Sequence, residues 1–321
     1  MKSMKTLLLL ATTLLVGIPG KANVDPGLPV YQPVSGVSGN LDSIGSDTLN
    51  NLMTLWAESF QAIYPNVHIQ IEGKGSSTAP PALIEGTAQL GPMSRAMKST
   101  EIDKFESKFG YKPFQIGVAL DALAVFVHKD NPIDALSLEQ VDGIFSSTLK
   151  RGGNPVETWG QLGLDGEWAS RSVSSYGRNS ASGTYGFFKS VALLKGDYKS
   201  TVKEQPGSSA VVQGIGSDLY GIGYSGIGYK TSGVKVLALS VDGGKQFDAT
   251  LENCISGDYP LARLLYIYIN NNPVEPLDTL TREFLKFVLS RQGQEIVVKD
   301  GYYPLPAQIA LQYIAQLEGR N

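Results

Sequence analysis

"FQIGVALDALAVFVHK", residues 114–129, decides the fold. It is a near-continuous apolar run rich in β-branched residues, with one acid, Asp121, near its middle. Such runs are strands buried on both faces. This one reads as a long strand that crosses the molecule. Upstream, "NLDSIGS" (40–46) reads as a strand leading into "DTLNNLMTLWAESFQAIYP" (47–65). There Leu49, Leu52, Leu55, Trp56, Ser59 and Phe60 keep helical spacing. "VHIQIEG" (67–73) alternates as a strand, "SSTAPPALIEG" (76–86) opens a short helix with prolines in its first turn, and "AQLGPMS" (88–94) is a short strand. Downstream, "SLEQVDGIFS" (137–146) is a helix with Ser137 as its N-cap. "SVSSYG" (172–177) is a strand and "TYGFFKSVALLK" (184–195) a helix. "YGIGYSGIGY" (220–229) and "VKVLALS" (234–240) are strands around a glycine-rich break, and "RLLYIYIN" (263–270) is another strand. "TLTREFLKFVLSRQGQEIVVKDG" (279–301) makes two helices around Gln292–Gly293. Alternating strands and helices predict an α/β fold with parallel sheets and ligands at strand-to-helix turns.

The chain opens with "MKSMKTLLLLATTLLVGIPGKAN", two lysines and then an apolar run too short to span a bilayer comfortably. Small residues stand at Gly20 and Ala22, so residues 1–22 read as a signal peptide cut after Ala22, with no cysteine following for lipid attachment. Residues 23–38 read as a loose lead-in. The remainder is long enough for two lobes with their own cores. Cys254 is the sole cysteine of the chain, so no intrachain disulfide forms. That usage in an exported protein points to a bacterial periplasm. A net charge of −3 argues against a nucleic-acid partner bound through a basic surface. Any anion must be caught by local geometry.

Three strand-to-helix turns share one chemistry: "GSDT" (45–48), "GKGSST" (73–78) and "RNSASGT" (178–184). Each sets Ser or Thr beside glycine at a helix start, where backbone amides are unpaired and partly positive. Capping alone explains one such turn. Three of them around a long crossing strand point to one anion held between two lobes. Neutral dipoles with a single arginine, Arg178, suit a desolvated oxyanion.

Enzymatic readings have less support. His68 lies in an alternating strand and His128 follows a buried one, which suits structural or surface roles. "GYSGIG" (223–228) is not a nucleophile elbow, because Ile227 stands where a glycine is needed. "GIGYSG" fits G-x-G-x-x-G without an evident helix after it, and "GKGSST" lacks the P-loop spacing. No Cys/His cluster has metal-ligand spacing, and no cofactor is expected. A secreted phosphatase or other hydrolase would need an activated serine, and no base is evident beside one. An adhesin using the same fold is a third reading.

The chain resembles the periplasmic phosphate-binding proteins of bacterial ABC transporters. The motif that carries the resemblance is Arg178-x-x-x-Ser182-Gly183-Thr184, together with "GKGSST" and its Ser76. "LDALAVFVHKDNP" (120–132), "LSLEQVDGIFSS" (136–147), "GIGY" (221–224) and "FVLSRQGQEIVVKDGYYPL" (287–305) also match family blocks. The resemblance implies a two-lobed type II (venus-flytrap) fold, each lobe a central sheet flanked by helices. Lobe one takes 39–119 and 258–321, and lobe two takes 120–257. It implies a monomer that closes on phosphate and serves a membrane permease. Arg178, Ser182, Gly183 and Thr184 would bind from lobe two; Ser46, Asp47, Thr48, Ser76 and Ser77 from lobe one.

Two positions depart from the family pattern. Ser94, in "GPMSRAM", stands where the family often has an aspartate. That aspartate accepts the proton of monohydrogen phosphate and so repels sulfate. Ser180 stands where an acid often follows the clamping arginine. Another tetrahedral oxyanion such as sulfate is therefore an alternative ligand. Asp47 is the nearest remaining acceptor, or else a helix N-cap. Arg95 is a second cation at the site or a surface residue. Asp121 pairs with Arg178 or bonds backbone at the hinge.

Overall fold

The computed structural model describes residues 24–319. The strands are β1 (Gly39–Ile44), β2 (Val67–Glu72), β3 (Gly91–Met93), β4 (Phe114–His128), β5 (Ala135–Ser137), β6 (Ser174–Arg178), β7 (Lys203–Gln205), β8 (Gly221–Gly226), β9 (Val234–Val236), β10 (Ala238–Ser240) and β11 (Ala262–Ile269). β4 organises them. Its first half, Phe114 to Ala122, pairs antiparallel with β11, which continues to β3. A bridge from Leu90 to Ser43 joins this group to the parallel pair β1–β2. From Leu123 to Val127, β4 pairs antiparallel with β8, which carries β6 and β7 in parallel. β9 pairs with the last residues of β4, and β5 pairs with β10. One strand therefore serves two sheets.

The cores divide along the same strand. Ile116, Val118 and Ala119 pack with Trp56, Phe60, Phe284 and Leu265. Leu123, Val125 and Val127 pack with Phe145, Trp159, Phe188 and Tyr224. The alternate residues Ala124 and Phe126 face Val211, Val212 and Ile215. Both faces of β4 are thus covered, which is why its sequence is apolar without alternation. Each large side chain so buried contributes about 1.5–3 kcal/mol.

The structure corrects four expectations. The sheets are mixed, not parallel, because the chain leaves the first lobe by β4 and returns beside it, in the opposite direction, by β11. The lead-in is not loose over its described residues. Leu28, Tyr31 and Val37 are buried in the first core. The Tyr31 hydroxyl bonds Tyr64 at 2.7 Å and donates to Glu283 at 3.1 Å. The break near residue 292 falls at Ser290, which ends the helix Thr279–Leu289 and caps Arg291–Lys299 through Gly293 N. Gly293 instead lies inside that helix, packed so closely that a Cβ would stand 2.2 Å from the Phe287 carbonyl oxygen. Helices Ser99–Phe109 and Ala307–Leu317 join the expected ones. The proposed signal peptide lies outside the described residues. Among those described, no helix is long and apolar enough to cross a membrane.

Candidate functional site

The three turns converge where the two sheets meet. The first follows β1 and leads to the helix Asn50–Ile63; the second follows β2 and leads to Ala79–Glu85. They are tied by Gly75 N donating to Gly45 O at 2.7 Å, and Ser46 N donates to Pro92 O of β3 at 2.8 Å. The third follows β6 and opens the helix Gly183–Val191, capped by Ser182 through Tyr185 N at 3.3 Å.

Their hydroxyls form one buried cluster. Thr48 Oγ1 and Thr184 Oγ1 are 2.8 Å apart. Ser46 Oγ donates to Ser94 Oγ at 3.0 Å, and Ser94 N donates to Ser76 Oγ at 3.0 Å. Ser94 Oγ is also within 3.3 Å of Ser76 Oγ and 3.4 Å of Thr184 Oγ1. Ser46, Thr48, Ser76, Ser94, Ser182 and Thr184 are all buried. Gly183 sits where the walls touch. A Cβ there would lie 2.2 Å from Ser76 Oγ, so glycine is required by space. Opposite it, Gly75 has φ +116°, and Ser77 N donates across the cleft to Ala181 O at 3.1 Å.

Arg178 is fully buried at the end of β6. Its Nη1 donates to Ser208 Oγ at 2.6 Å and lies 3.2 Å from Asp47 Oδ2, and its Nη2 donates to Pro206 O at 3.2 Å. Its Nε is buried without a partner among the described residues. Burial lowers the guanidinium pKa, Asp47 opposes that shift, and the nearby positive charge of Arg263 adds to it. Behind Arg178, its backbone N–H donates to the hydroxyl of Tyr224, whose ring stacks on Phe188 with centroids 3.9 Å apart. That packing holds β6 and the helix from Gly183 in fixed relation.

Asp47 is not the cap of its own helix. Its Oδ2 accepts from Ser208 N at 2.8 Å, so it caps the helix Ser208–Gly216, whose Val211, Val212 and Ile215 belong to a different core. It also supplies the carboxylate for Arg178. Ser180, in the position where the family often has an acid, is exposed. Arg95 is neither a surface residue nor bonded to the hydroxyl cluster. It is buried in a two-pronged ion pair with Glu101 at 2.7 and 2.8 Å, with Ser77 Oγ at 3.4 Å. Asp121 does not pair with Arg178. It pairs with Arg263 at 2.7 Å and accepts from Ile227 N at 3.0 Å. Sequence reasoning missed Arg263, which donates to Thr184 Oγ1 at 3.0 Å, and Ser208. A signal for Arg263 existed: it is the lone charge in an apolar strand, as Asp121 is in β4, and buried charges need partners. Tyr229 and Tyr302 were also missed. Their hydroxyls donate to the carbonyls of Asp47 at 2.9 Å and Thr48 at 2.8 Å.

This geometry defines a two-lobed receptor with a buried, donor-rich contact between its lobes. A family model described as a PBP superfamily domain matches residues 32–292. The phosphate-binding protein PstS of Pseudomonas aeruginosa is 59% identical over 298 residues, covering 92% of each chain. A solved, phosphate-bound protein of Clostridium perfringens, assigned as a phosphate ABC transporter substrate-binding protein, has a TM-score of 0.71 at 24% identity, covering 83% of this chain and 100% of its own. An ABC-type phosphate transport receptor from Vibrio cholerae gives 0.65 at 22% identity, with the same coverage. The last two likenesses concern the fold. The chain belongs to the phosphate-binding proteins of the PBP superfamily.

Proposed function

We propose that the chain is an extracytoplasmic receptor that captures inorganic phosphate between its lobes for uptake by an ABC transporter. The observation that carries this reading is the buried meeting of Arg178, Ser182, Gly183 and Thr184 with Ser46, Thr48 and Ser76 across the cleft. Hydroxyl protons, first-turn amides and a guanidinium are all donors, which suits an anion with several oxygen acceptors. Asp47 offsets the charge of Arg178, so most of the ligand's charge would be met by neutral dipoles. The permease, a monomeric state and export through a cleaved, non-lipidated leader are parts of the same reading. So are the lobe boundaries, 39–119 with 258–321 against 120–257; the separate cores on either half of β4 support that division.

Closure would be written into the site itself. The contacts from Asp47 to Arg178 and Ser208, from Thr48 to Thr184 and from Ser77 to Ala181 all cross the cleft. Ligand release then requires reopening. Ser182 acts as a donor and not a nucleophile: its Oγ accepts from Tyr185 N, and among the described residues no imidazole or carboxylate bonds it. The test is calorimetric titration with phosphate, paired with assay of a chromogenic phosphate ester. One phosphate per chain and no turnover are expected. Steady hydrolysis lost in Ser182→Ala would move the protein to the hydrolases.

A further inference from the structure

Arg263 and Asp121 are direct register partners on the antiparallel strands β11 and β4, and both are buried. Asp121 Oδ2 accepts from Arg263 Nε at 2.9 Å and from Nη2 at 2.7 Å. A pair that only joined two strands would be complete at this point. Arg263 reaches further. Its Nη1 donates to the Ser94 carbonyl at 2.8 Å, and its Nη2 also donates to Thr184 Oγ1 at 3.0 Å. The guanidinium lies 5.3 Å from the ring centre of Phe187, on the same helix as Thr184. It therefore touches both walls of the hydroxyl cluster from behind.

The direction of these bonds matters. A guanidinium has donors only, so Thr184 Oγ1 must accept from it. The Thr184 proton then points away from Arg263, toward the cluster, where Thr48 Oγ1 and Ser94 Oγ lie at 2.8 and 3.4 Å. A free hydroxyl can turn its proton toward any neighbour; one that accepts from a guanidinium keeps its proton off that side, so that an acceptor in the cluster can take it. Ser76 Oγ likewise accepts from Ser94 N, which turns its own proton away from that amide. We propose that Arg263 is a positioning residue of the anion site: held by Asp121, it fixes the Thr184 hydroxyl as a donor aimed at bound phosphate and places a second positive charge behind it. This rests on the phosphate reading and adds the residue that sets the polarity of the cluster.

The test is a double-mutant cycle read by titration with inorganic phosphate. Its corners are wild type, Thr184→Val, Asp121→Asn with Arg263→Met, and all three together. Replacing both charges leaves no lone buried ion, and the side-chain carbonyl introduced by Asp121→Asn could still accept from Ile227 N. In the wild-type background Thr184→Val should weaken phosphate binding about tenfold, while Thr184→Ser stays within about threefold. Without Arg263 the loss from Thr184→Val should shrink below about threefold, because the hydroxyl is no longer held as a donor. A purely structural role for Arg263 would leave the two losses additive, and additivity overturns the proposal. If the protein carrying Asp121→Asn and Arg263→Met does not fold by circular dichroism, Asp121→Leu with Arg263→Met supplies the same cycle. Wild-type protein that does not bind phosphate would sink the phosphate reading and this inference together. Wild-type binding with additive losses sinks the inference alone.

Discussion

Two arginine–aspartate pairs hold this cleft, and they are built oppositely. Arg178–Asp47 spans the two lobes at 3.2 Å, and the Asp47 side chain keeps 25% of its exposure. Arg263–Asp121 joins adjacent strands at 2.7 Å, with side chains 3% and 0% exposed. The first pair exists only while the lobes are together; the second is independent of closure because strand register sets it. On the proposed phosphate reading, the guanidinium paired across the mouth is the one a ligand would share. One paired within the hinge is a fixed background charge. Asp300 gives a third case. It is a half-buried acid bonded by Asn51 and paired with no cation among the described residues, and desolvation pushes its pKa up to about 6.

The sharpest way to break this comparison is to remove one member of each pair. Asp121→Asn leaves the Arg263 guanidinium poorly compensated in the core and should cost about 3–5 kcal/mol in urea unfolding. Asp47→Asn, where the acid is part-exposed and the amide can still accept from Ser208 N, should cost less, about 1–2 kcal/mol, in the same assay. Equal losses would erase the distinction between hinge and mouth. Binding should show the reverse order of importance. Arg178→Ala should weaken phosphate affinity at least tenfold, consistent with about 2–5 kcal/mol for a buried charge left without its partner, as read by calorimetry. Unchanged affinity would remove Arg178 from the site.

The mouth pair also bears on selectivity. Phosphate near neutral pH carries a proton and sulfate does not, so an acceptor-only carboxylate favours phosphate. With Ser94 in place of the family's frequent aspartate, Asp47 is our proposed acceptor. Asp47→Asn should narrow the phosphate-over-sulfate preference about tenfold, from the roughly 1–3 kcal/mol cost of an unpaired polar group, while Ser94→Ala changes it less. Competition titrations compare the two. Loss of preference in Ser94→Ala alone would leave Asp47 as the clamp's counter-charge and the cap of the Ser208 helix only.

The smallest effect belongs to the unpaired acid. Folding raises the pKa of Asp300 from the ordinary 3.8 to about 6, so the folded state holds the proton more tightly than the unfolded chain. Its contribution is therefore most favourable below about pH 4 and is lost as pH rises toward about 6. Asp300→Asn should stabilise the protein by about 1 kcal/mol at pH 7, after allowance for partial exposure, and by almost nothing at pH 4. Melting temperatures of both proteins at the two pH values decide it. A constant difference would mean that Asp300 does not titrate in this range.

Sequence alone determined what depends on neighbours in the chain. An unbroken apolar run marked β4 and helical periodicity marked the helix of Trp56 and Phe60, because burial on two faces or one leaves a local pattern. Glycine beside Ser or Thr marked the three turns, because helix starts need donors and caps within a few residues. The tertiary structure alone decided which groups pair. Asp47 meets Arg178 and Ser208 only because the lobes approach each other, and Asp121 meets Arg263 only because β11 returns beside β4 in one register. The burial of Leu28 and Tyr31 likewise depended on a distant surface that they could cover. A charge alone in an apolar strand announces in the sequence that it needs a partner. Which partner it finds is set by contacts more than a hundred residues apart, and no local pattern encodes those.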